Sequence, residues 1–426
     1  MAASTVVAIT FSLLISLPLA QSAGPTHDTD DVELIQKRIE VESSLQLGQE
    51  SEETSMASKA RRRAQMLADR SYYSSLVDMS NTRVVAGMPL YNAHDMPGGL
   101  KPSELQLAET VHMIATFVDG TAMNNFCTAL SSGTSCSCIA TDDAIDEAEI
   151  ECSEAEFGAF LRPYEAGGGD MPTFAEPDVQ QEMADDGHTN VTALLEAVEY
   201  GATNVWGIDR IDGTTGTDGT YSIYPGSSQG SFAHVYVADT GLYWQHSDFE
   251  GRAIPAIEVL GGSSTVKVCS ATATDCANDG HGHGTHCAGT IGGKTYGVAK
   301  KTKLYGVKVL NPSGYMSDII KSVDWVITNG NKPAVWSASL GGPGARPSYE
   351  NAFKKAAAAG VVVSVAAGNS NDDACKYSPA FAATAITVGS TDSADKRSHF
   401  SNYGKCLDIW APGSNIKSCG KSSVTS

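Results

Sequence analysis

The sequence has no excess of basic residues. Its 426 residues include 29 lysines and arginines against 49 aspartates and glutamates, a formal net charge of −20. The imbalance lies in the first 200 residues, where 32 acidic residues face 10 basic ones, whereas the rest of the chain is nearly neutral. Nucleic acid and anionic membranes are therefore poor candidate partners, and the uneven charge indicates segments with separate roles.

Long apolar runs are also scarce. The run over residues 6–20 is shorter than the roughly 20 residues that a membrane-spanning helix needs, and Pro18 interrupts its end. Small and polar residues follow at positions 21–24, which suits cleavage by signal peptidase. We predict a signal peptide over residues 1–23 and a secreted, extracellular protein with no membrane contact after cleavage; the alternative is a membrane anchor.

Cysteine, by contrast, is not scarce. Ten cysteines in an exported chain are expected to be mostly disulfide-bonded. In the second half we favour pairing Cys269 with Cys276 and Cys375 with Cys406, which leaves Cys287 free and buried, although spacing alone leaves other pairings open. The acidic half holds four more, with no histidine close by to suggest a metal site: Cys127, Cys136, Cys138 and Cys152.

Composition divides the chain into segments. Residues 24–104 are rich in Gln, Ser, Glu and Arg, which is typical of a low-complexity spacer. Residues 105–183 form an acidic unit with strand patterns at 111–118, 157–161 and 173–177 and a helical pattern at 122–130. Residues 184–205 are interpreted as a polar linker, and a different pattern occupies residues 206–426.

From residue 206 onward, near-continuous apolar stretches alternate with helical patterns. Strands are predicted at residues 234–238, 303–310, 334–340, 361–367 and 385–389, and helices at 284–292, 317–328 and 349–359. Apolar strands that are buried on both faces and separated by helices predict an α/β fold, with a parallel sheet and helices on both faces. A small α+β domain precedes it.

Asp239 directly follows the first predicted strand of this region. Open α/β sheets place their active crevice at the carboxyl ends of the strands, so we expect this carboxylate at such an edge. Gly241, two residues later, allows the backbone to turn sharply away. The triplet Asp-Thr-Gly also occurs in aspartic proteases, but those enzymes need two copies and this sequence has one.

His283 begins a stretch of small residues that suits a closely packed helix. A histidine acts as a general base when its pKa is near neutral and a carboxylate orients its ring. The alternative is a metal site formed by His281, His283 and His286. A metal site would normally need a further ligand at fitting spacing, and it would leave Asp239 without a role.

Three segments together resemble the subtilisin-like serine proteases, most closely the proteinase K branch. They are Asp239-Thr240-Gly241, His283-Gly284-Thr285-His286-Cys287-Ala288-Gly289-Thr290 and Ala366-Ala367-Gly368-Asn369. The resemblance implies that Asp239 and His283 are two members of an Asp-His-Ser triad. It further implies that Asn369 donates to the oxyanion and that the chemistry requires no cofactor.

The resemblance also implies where a substrate binds. An extended peptide would lie between two edges by main-chain hydrogen bonds, with Gly341 and Gly368 walling an apolar pocket. We therefore expect a monomeric endopeptidase that cuts peptides and proteins with a broad preference for apolar or aromatic residues before the cut. The edge residues are Ser313, Gly314 and Tyr315 on one side and Ser339, Leu340 and Gly341 on the other.

Two further expectations come from the resemblance. A structural calcium ion would be held by the Asp408 carboxylate and the backbone carbonyls of Ala383 and Ala385, a set of oxygen ligands that suits calcium. The acidic unit at residues 105–183 resembles the inhibitory propeptide of these proteases, which would block the cleft until it is cut within residues 184–205.

The nucleophilic serine of this family lies in a Gly-Thr-Ser-Met-Ala type segment, and no such segment follows Asn369 in the sequence. We therefore expect a peptidase domain over residues 206–426 that is incomplete at its C-terminus, a fragment of a serine endopeptidase that is inactive as it stands. The alternative is a catalytically silent pseudoprotease that binds peptides without cutting them.

Overall fold

The computed structural model describes residues 55–96, 99–101, 103–184, 204–222, 228–262 and 265–421. The expected signal peptide and almost all of the expected linker at residues 184–205 lie outside these residues. No helix among the described residues combines the length and hydrophobicity needed to cross a bilayer. The chain forms an N-terminal unit, which we define as residues 55–184, and a C-terminal unit, residues 204–421.

The N-terminal unit is a six-stranded sheet with helices packed on it. The strand order is β1-β2-β6-β3-β5-β4, antiparallel except for the contact of β2 with β6. Its elements are α1 (Ser55–Leu76), β1 (Arg83–Val85), β2 (Met88–Leu90), α2 (Glu104–Leu107), β3 (Thr110–Thr116), α3 (Gly120–Gly133), β4 (Ser137–Asp142), β5 (Glu147–Ser153), α4 (Glu154–Ala166) and β6 (Phe174–Pro177), with 3₁₀ turns at Met79–Asn81 and Ala93–Asp95.

The strand predicted at residues 157–161 is wrong, because these residues lie inside α4. The Ser153 side chain accepts a hydrogen bond from the Glu156 backbone N–H and so caps the start of this helix. Phe157 and Leu161, four residues apart, both point into the core. The cap and this spacing favour a helix over a strand.

The structure differs from the predicted spacer over its described part. Helix α1 packs on the sheet, and the Arg70 side chain donates to the backbone carbonyls of Pro172 and Thr173. Strand β2 continues the sheet through Leu90, which pairs with Ala175. The folded unit therefore includes residues well before 105. Its few apolar residues are spaced along one long helix and one short strand, which a composition average conceals.

The C-terminal unit confirms the predicted α/β class. Its eight-stranded sheet has the order β10-β9-β11-β8-β13-β15-β17-β18 and is parallel except for β10. The elements are α5 (Trp206–Ile211), β8 (His234–Asp239), β9 (Ala253–Glu258), β10 (Lys267–Val268), α6 (His283–Gly292), β11 (Lys303–Lys308), β12 (Gly314–Tyr315), α7 (Met316–Asn329), β13 (Ala334–Ala338), β14 (Leu340–Pro343), α8 (Pro347–Ala358), β15 (Val361–Ala366), β16 (Tyr377–Ser378), β17 (Ile386–Thr391) and β18 (Ile409–Pro412).

Both faces of this sheet are covered, as near-continuous apolar strands require. Along β8, Val235 and Val237 join the hydrophobic cluster that includes Ala288 of α6. Tyr236 and Ala238 point to the other face and join the cluster under α7 and α8. The central strands thus end at one edge with helices on either side.

The disulfides match the sequence expectation. Bonds join Cys269 to Cys276 and Cys375 to Cys406, while Cys287 forms no disulfide and is buried, as expected. Cys419 is also free and buried. The acidic half forms two more bonds, Cys127 to Cys138 and Cys136 to Cys152.

Candidate active site

The structure brings Asp239 and His283 into direct contact. Asp239 is the last residue of β8 and His283 the first of α6, and they are 0% and 2% exposed. The His283 Nδ1 atom lies 2.8 Å from Asp239 Oδ1 and 2.9 Å from Oδ2. The carboxylate therefore fixes the ring orientation and holds the proton on Nδ1.

The electrostatics of this pair favour the imidazolium. Burial opposes protonation of the ring, but the adjacent Asp239 charge outweighs burial and raises the pKa of His283 well above its usual value. The opposite ring nitrogen, Nε2, is buried and has no hydrogen-bond partner within the described residues. The ring is thus held on one side and free to take a proton on the other.

Glycines allow the acid and base segments to pack closely. Gly241 has a φ of +107°, and a Cβ there would lie 2.6 Å from the carbonyl oxygen of Ala277. A Cβ on Gly284 would lie 2.2 Å from the Gly241 carbonyl oxygen. Any side chain at either position would force the turn after Asp239 away from the start of α6.

A hydrogen-bond network also joins the two segments. The Thr240 hydroxyl donates to Asp279 Oδ1 over 2.9 Å and accepts from the Gly284 N–H over 3.0 Å. Asp279 Oδ2 accepts from both the backbone N–H and the hydroxyl of Thr285. These hydrogen bonds therefore hold the turn after Asp239 against the first turn of α6.

Lys308 is a buried cation under the same turn. Its Nζ atom donates to the backbone carbonyls of Thr240, over 2.7 Å, and Asn278, over 2.9 Å. In the sheet register it lies beside Asp239. Burial lowers the pKa of Lys308, while the nearby carboxylates oppose that shift. Sequence reasoning missed Lys308 and Asp279; a lysine at the end of an apolar strand was the available signal.

Two of the three histidines proposed as an alternative metal site contact different groups, and the third, His281, is exposed. His283 Nδ1 contacts Asp239, and His286 Nε2 donates to the backbone carbonyl of Ile416 over 3.0 Å. The side chains that converge with His283 are Asp239 and Cys287, whose sulfur lies 3.7 Å from Nδ1. The geometry favours an oriented general base over a cluster of three imidazole ligands.

Asn369 follows β15 on the loop after the strand. Gly368 precedes it with a φ of +97°, and a Cβ there would lie 2.6 Å from Asn402 Nδ2. Asn402 Oδ1 in turn accepts from the backbone N–H groups of Ser370 and Asp372, which fixes the loop. The Asn369 side-chain amide is buried and finds no partner in the part of the chain that the structure describes, so it remains a donor without an acceptor.

The two predicted substrate edges hold an extended strand of this same chain. Strand β7 (Gln180–Met183) lies between β12 and β14 and is antiparallel to both, within a four-stranded sheet of order β12-β7-β14-β16. Gly314 pairs with Gln181, and Leu340 pairs with Met183. Both edges therefore accept main-chain hydrogen bonding from a peptide.

Ser339 and Ser313, which belong to the two predicted edges, are placed differently relative to β7. Ser339 lies at the end of β7, where its backbone carbonyl accepts from the Ala184 N–H over 2.9 Å. Ser313 is not paired to β7, since its carbonyl accepts from the Asn311 N–H within a turn. A Cβ on Gly341 would point at the Ser378 carbonyl oxygen, 2.6 Å away, so glycine there permits close packing of β14 on β16.

The expected calcium ligands lie around one turn. Asp408 Oδ2 accepts from the Thr387 N–H over 2.7 Å, which places this carboxylate beside the start of β17. Ala383 and Ala385 precede that strand on the same turn, with Ala385 buried and Ala383 exposed. Carboxylate and carbonyl oxygens are ligands that calcium accepts, and calcium binding by these three residues stays a prediction.

Comparisons with known proteins agree with this geometry. Residues 230–426 match the subtilase family, peptidase S8. The chain is similar to an extracellular serine proteinase of Thermus sp. (strain Rt41A), with 49% identity over 234 residues covering 54% of this chain and 52% of the relative. It is also similar to proteinase R of Parengyodontium album, with 45% identity over 251 residues covering 57% and 59% of the two chains.

A solved structure of a cold adapted subtilisin-like serine proteinase also matches, at 43% identity and a TM-score of 0.46. The match covers 51% of this chain and 75% of that one. The chain spans about half the length of the curated relatives it matches.

Proposed function

We propose that the protein is a secreted serine endopeptidase, because residues 230–426 match the subtilase family. The contact of His283 Nδ1 with Asp239, 2.8 Å long, carries the proposal. It leaves the buried Nε2 as the basic atom that removes the proton from a serine hydroxyl as the oxygen attacks a peptide carbonyl. The relative from Thermus is named an extracellular serine proteinase, which supports both activity and secretion.

Each remaining group has a role in this mechanism. Asp239 keeps the correct tautomer and stabilises the imidazolium, which then protonates the leaving amine. The Asn369 amide donates to the oxyanion that develops on the attacked carbonyl. Loss of the equivalent donor in subtilisin, a member of this family, costs about 3 to 4 kcal/mol of transition-state stabilisation.

The mechanism requires a serine hydroxyl at His283 Nε2, and among the described residues no hydrogen-bond partner reaches that atom. The alternative is a pseudoprotease, which keeps the peptide groove and lacks the nucleophile. The pairing of β7 with β12 and β14 is consistent with either function, because both bind an extended peptide. The experiment below separates them.

The N-terminal unit is proposed to be the propeptide of this enzyme. Its last strand, β7, fills the groove where a substrate would lie, and Ala184 ends that strand beside Ser339. The Ala184 side chain packs on Ala366, which leads into the Asn369 loop. The bond after Ala184 is thus the first one presented beyond the groove, within the maturation segment of residues 184–205.

Specificity and metal binding complete the proposal. The small apolar contact of Ala184 with Ala366 supports a preference for apolar or aromatic residues before the cut. Calcium would be held by Asp408 and the carbonyls of Ala383 and Ala385, and it would stabilise this turn rather than take part in chemistry. No cofactor is needed, and the enzyme acts as a monomer on peptides and proteins.

The test begins with the 3′ end of the transcript. An in-frame Gly-Thr-Ser-Met-Ala-like continuation, expressed as the complete protein, should hydrolyse casein and react with a serine-directed fluorophosphonate probe. A stop directly after Ser426, with peptide binding and no hydrolysis, would instead establish the pseudoprotease. Mass spectrometry of the N-terminus of the active form then locates the first cut.

A further inference from the structure

The two units meet through a face that is rich in carboxylates. Strands β5 and β6 of the N-terminal sheet lie against α7 and α8. Glu147 and Glu149, two residues apart on β5, both point to this contact, and Glu176 of β6 joins them. A sheet face that packs on helices is normally apolar, so these acids need an explanation.

Most of these acids are compensated by groups on the C-terminal unit. Glu149 pairs with Lys321 of α7, and Asp146 pairs with Lys355 of α8 over 2.7 Å. Glu176 accepts from the Ser348 N–H in the first turn of α8, where the helix dipole favours negative charge. These contacts are ordinary charge complementarity across an interface.

Glu147 is different, because no cation contacts it among the residues that the structure describes. It is 1% exposed, and its Oε1 atom accepts only from neutral donors, the Thr116 hydroxyl at 3.1 Å and the Asn351 amide at 3.0 Å. Its Oε2 atom has no partner among the residues described between 55 and 421. An ionised carboxylate in this setting is strongly disfavoured, whereas a neutral carboxyl is not.

The charges around Glu147 also favour its neutral form. Burial raises the pKa of Glu147 well above its usual value, and the nearby carboxylates of Asp142 and Glu176 raise it further against the two neutral donors. Lys355 is already occupied by Asp146. The titratable and charged groups around Glu147 are Asp142 of β4, Asp146 of the β4–β5 turn, Glu149 of β5, Glu176 of β6, Tyr73 and Asp69 of α1, and Glu350, Lys354 and Lys355 of α8.

Other carboxyl groups at the same contact behave alike, since burial also raises the pKa of Glu149 and Glu176. Burial raises the pKa of Asp178 to about 6, even though Asp178 accepts from the N–H and hydroxyl of Ser317 at the start of α7. Burial raises the pKa of Asp142 to about 7, with the Asp324 charge of α7 adding to the rise and Lys321 opposing it.

We propose that the surface of α7 and α8 formed around Ser317, Lys321, Ser348 and Asn351 is a docking site for a carboxyl-bearing sheet in its protonated form. The N-terminal unit then docks with uptake of protons, and a rise in pH favours its release. This extends the proposed function, because release matters once the chain has been cut between the units.

The direction of the pH effect follows from the linkage between protonation and docking. Once undocked, these carboxyl groups lose the covering residues of α7 and α8, and we expect them to ionise near the ordinary pKa of about 4. Docked, they keep their protons to higher pH, so the docked state is fully stable below that ordinary value and weakens as pH rises towards the raised pKa values. For each proton taken up on docking, the dissociation constant of the two units rises about tenfold for each unit by which the pH increases.

The test uses the complete chain with a recognition site for a specific protease inserted between residues 185 and 203. After the added protease has cut this site, the dissociation constant of the two units is measured at pH 5, 6, 7 and 8. We expect a rise of about tenfold or more per pH unit. The Glu147→Gln variant, which keeps the shape and cannot ionise, should show a slope lower by about one log unit and tighter docking at pH 8.

Asp146→Asn is the matched control. Asp146 directly precedes Glu147, and the substitution removes its ion pair with Lys355. Asparagine tolerates the left-handed φ of +56° found at this position. It should weaken docking at every pH with the wild-type slope. A wild-type dissociation constant that is flat from pH 5 to 8, or a Glu147→Gln slope parallel to wild type, would overturn the proposal. Because an added protease makes the cut, the result does not depend on the chain's own activity.

Discussion

Buried charge is compensated differently at the Asp239–His283 pair of the C-terminal unit and at Glu147 of the N-terminal unit. In the C-terminal unit, the buried Asp239 contacts an imidazole and the buried Lys308 is held by backbone carbonyls, so each charge has a fixed complement. In the N-terminal unit, the buried Glu147 has only neutral donors within the described part of the chain, and one of its oxygens has no partner there. The first arrangement fixes the position of the acid and the base, whereas the second makes the docking of the two units sensitive to pH.

This comparison explains where rigidity is needed. A general base must stay within hydrogen-bond reach of its carboxylate through every turnover, which a paired and cross-linked site provides. A propeptide, the role proposed for the N-terminal unit, must bind tightly and later leave, which a fully compensated interface would hinder. The predictions below test the comparison, beginning with the residue on which the fixed site depends most.

The His283→Ala variant of the complete protein should lose the most activity. Removing the base while leaving Asp239 buried is expected to reduce kcat by roughly 10⁵–10⁶-fold, as for triad residues that act as a unit. The measurement is hydrolysis of a chromogenic peptide, with circular dichroism to verify the fold. His281→Ala is the control and should keep nearly full activity. Comparable loss in both variants would argue against a specific base at His283.

The Asn369→Ala variant should have the next largest effect. The amide donor has no partner in the described residues, so its loss should leave stability unchanged and remove only transition-state stabilisation. We expect kcat to fall by about 10²–10³-fold with little change in KM. Ser370→Ala, on the adjacent exposed residue, serves as control. A rise in KM at constant kcat would instead assign Asn369 to substrate binding.

The Lys308→Met variant tests whether the buried cation tunes the pair above it. The lysine charge opposes the imidazolium, so its removal should raise the pKa of His283 and move the acid limb of the pH–rate profile to higher pH, by about one unit or less. The carbonyls of Thr240 and Asn278 also lose their donor, which should cost about 1–3 kcal/mol of unfolding free energy.

Lys308→Arg keeps the charge and serves as the control for the pH shift. NMR titration of the His283 ring reports on the same shift without the need for turnover. If Lys308→Met lowers stability while the ring titrates as in wild type, Lys308 has a structural role alone and the electrostatic part of the argument is wrong.

Sequence patterns predicted the parts of this structure that depend on local chemistry. The sequence identifies Asp239 and His283 because a strand end, a turn glycine and a run of small residues are each recognisable as residue patterns. Lys308 was not identified, since its role depends on carbonyls of Thr240 and Asn278 that the fold brings to it.

The same limit explains the errors in the N-terminal unit. Phe157 and Leu161 fit a strand or a helix over five residues, and the cap at Ser153 decides between them. Helix α1 was interpreted as spacer because most of its residues are polar, although Tyr73 is buried and hydrogen-bonded to Asn351 of the other unit. The acidic interface was invisible for a related reason: whether Glu147 faces water or a helix is decided by docking.

The smallest effect is expected from a charge that is not buried. Arg63 of α1 lies 3.5 Å from Glu165, and the two side chains are 65% and 37% exposed, so water screens the pair and its side chains lose entropy in making it. Arg63→Ala should change the unfolding free energy, measured by urea denaturation, by less than about 1 kcal/mol, and should leave docking of the units unaffected at every pH. By contrast, Arg62→Ala one residue earlier breaks a 3.0 Å contact with the largely buried Asp170 and should cost more. If both substitutions had the same small effect, burial would not be what distinguishes the charges of this protein, and the contrast between the units would have to be traced to something else.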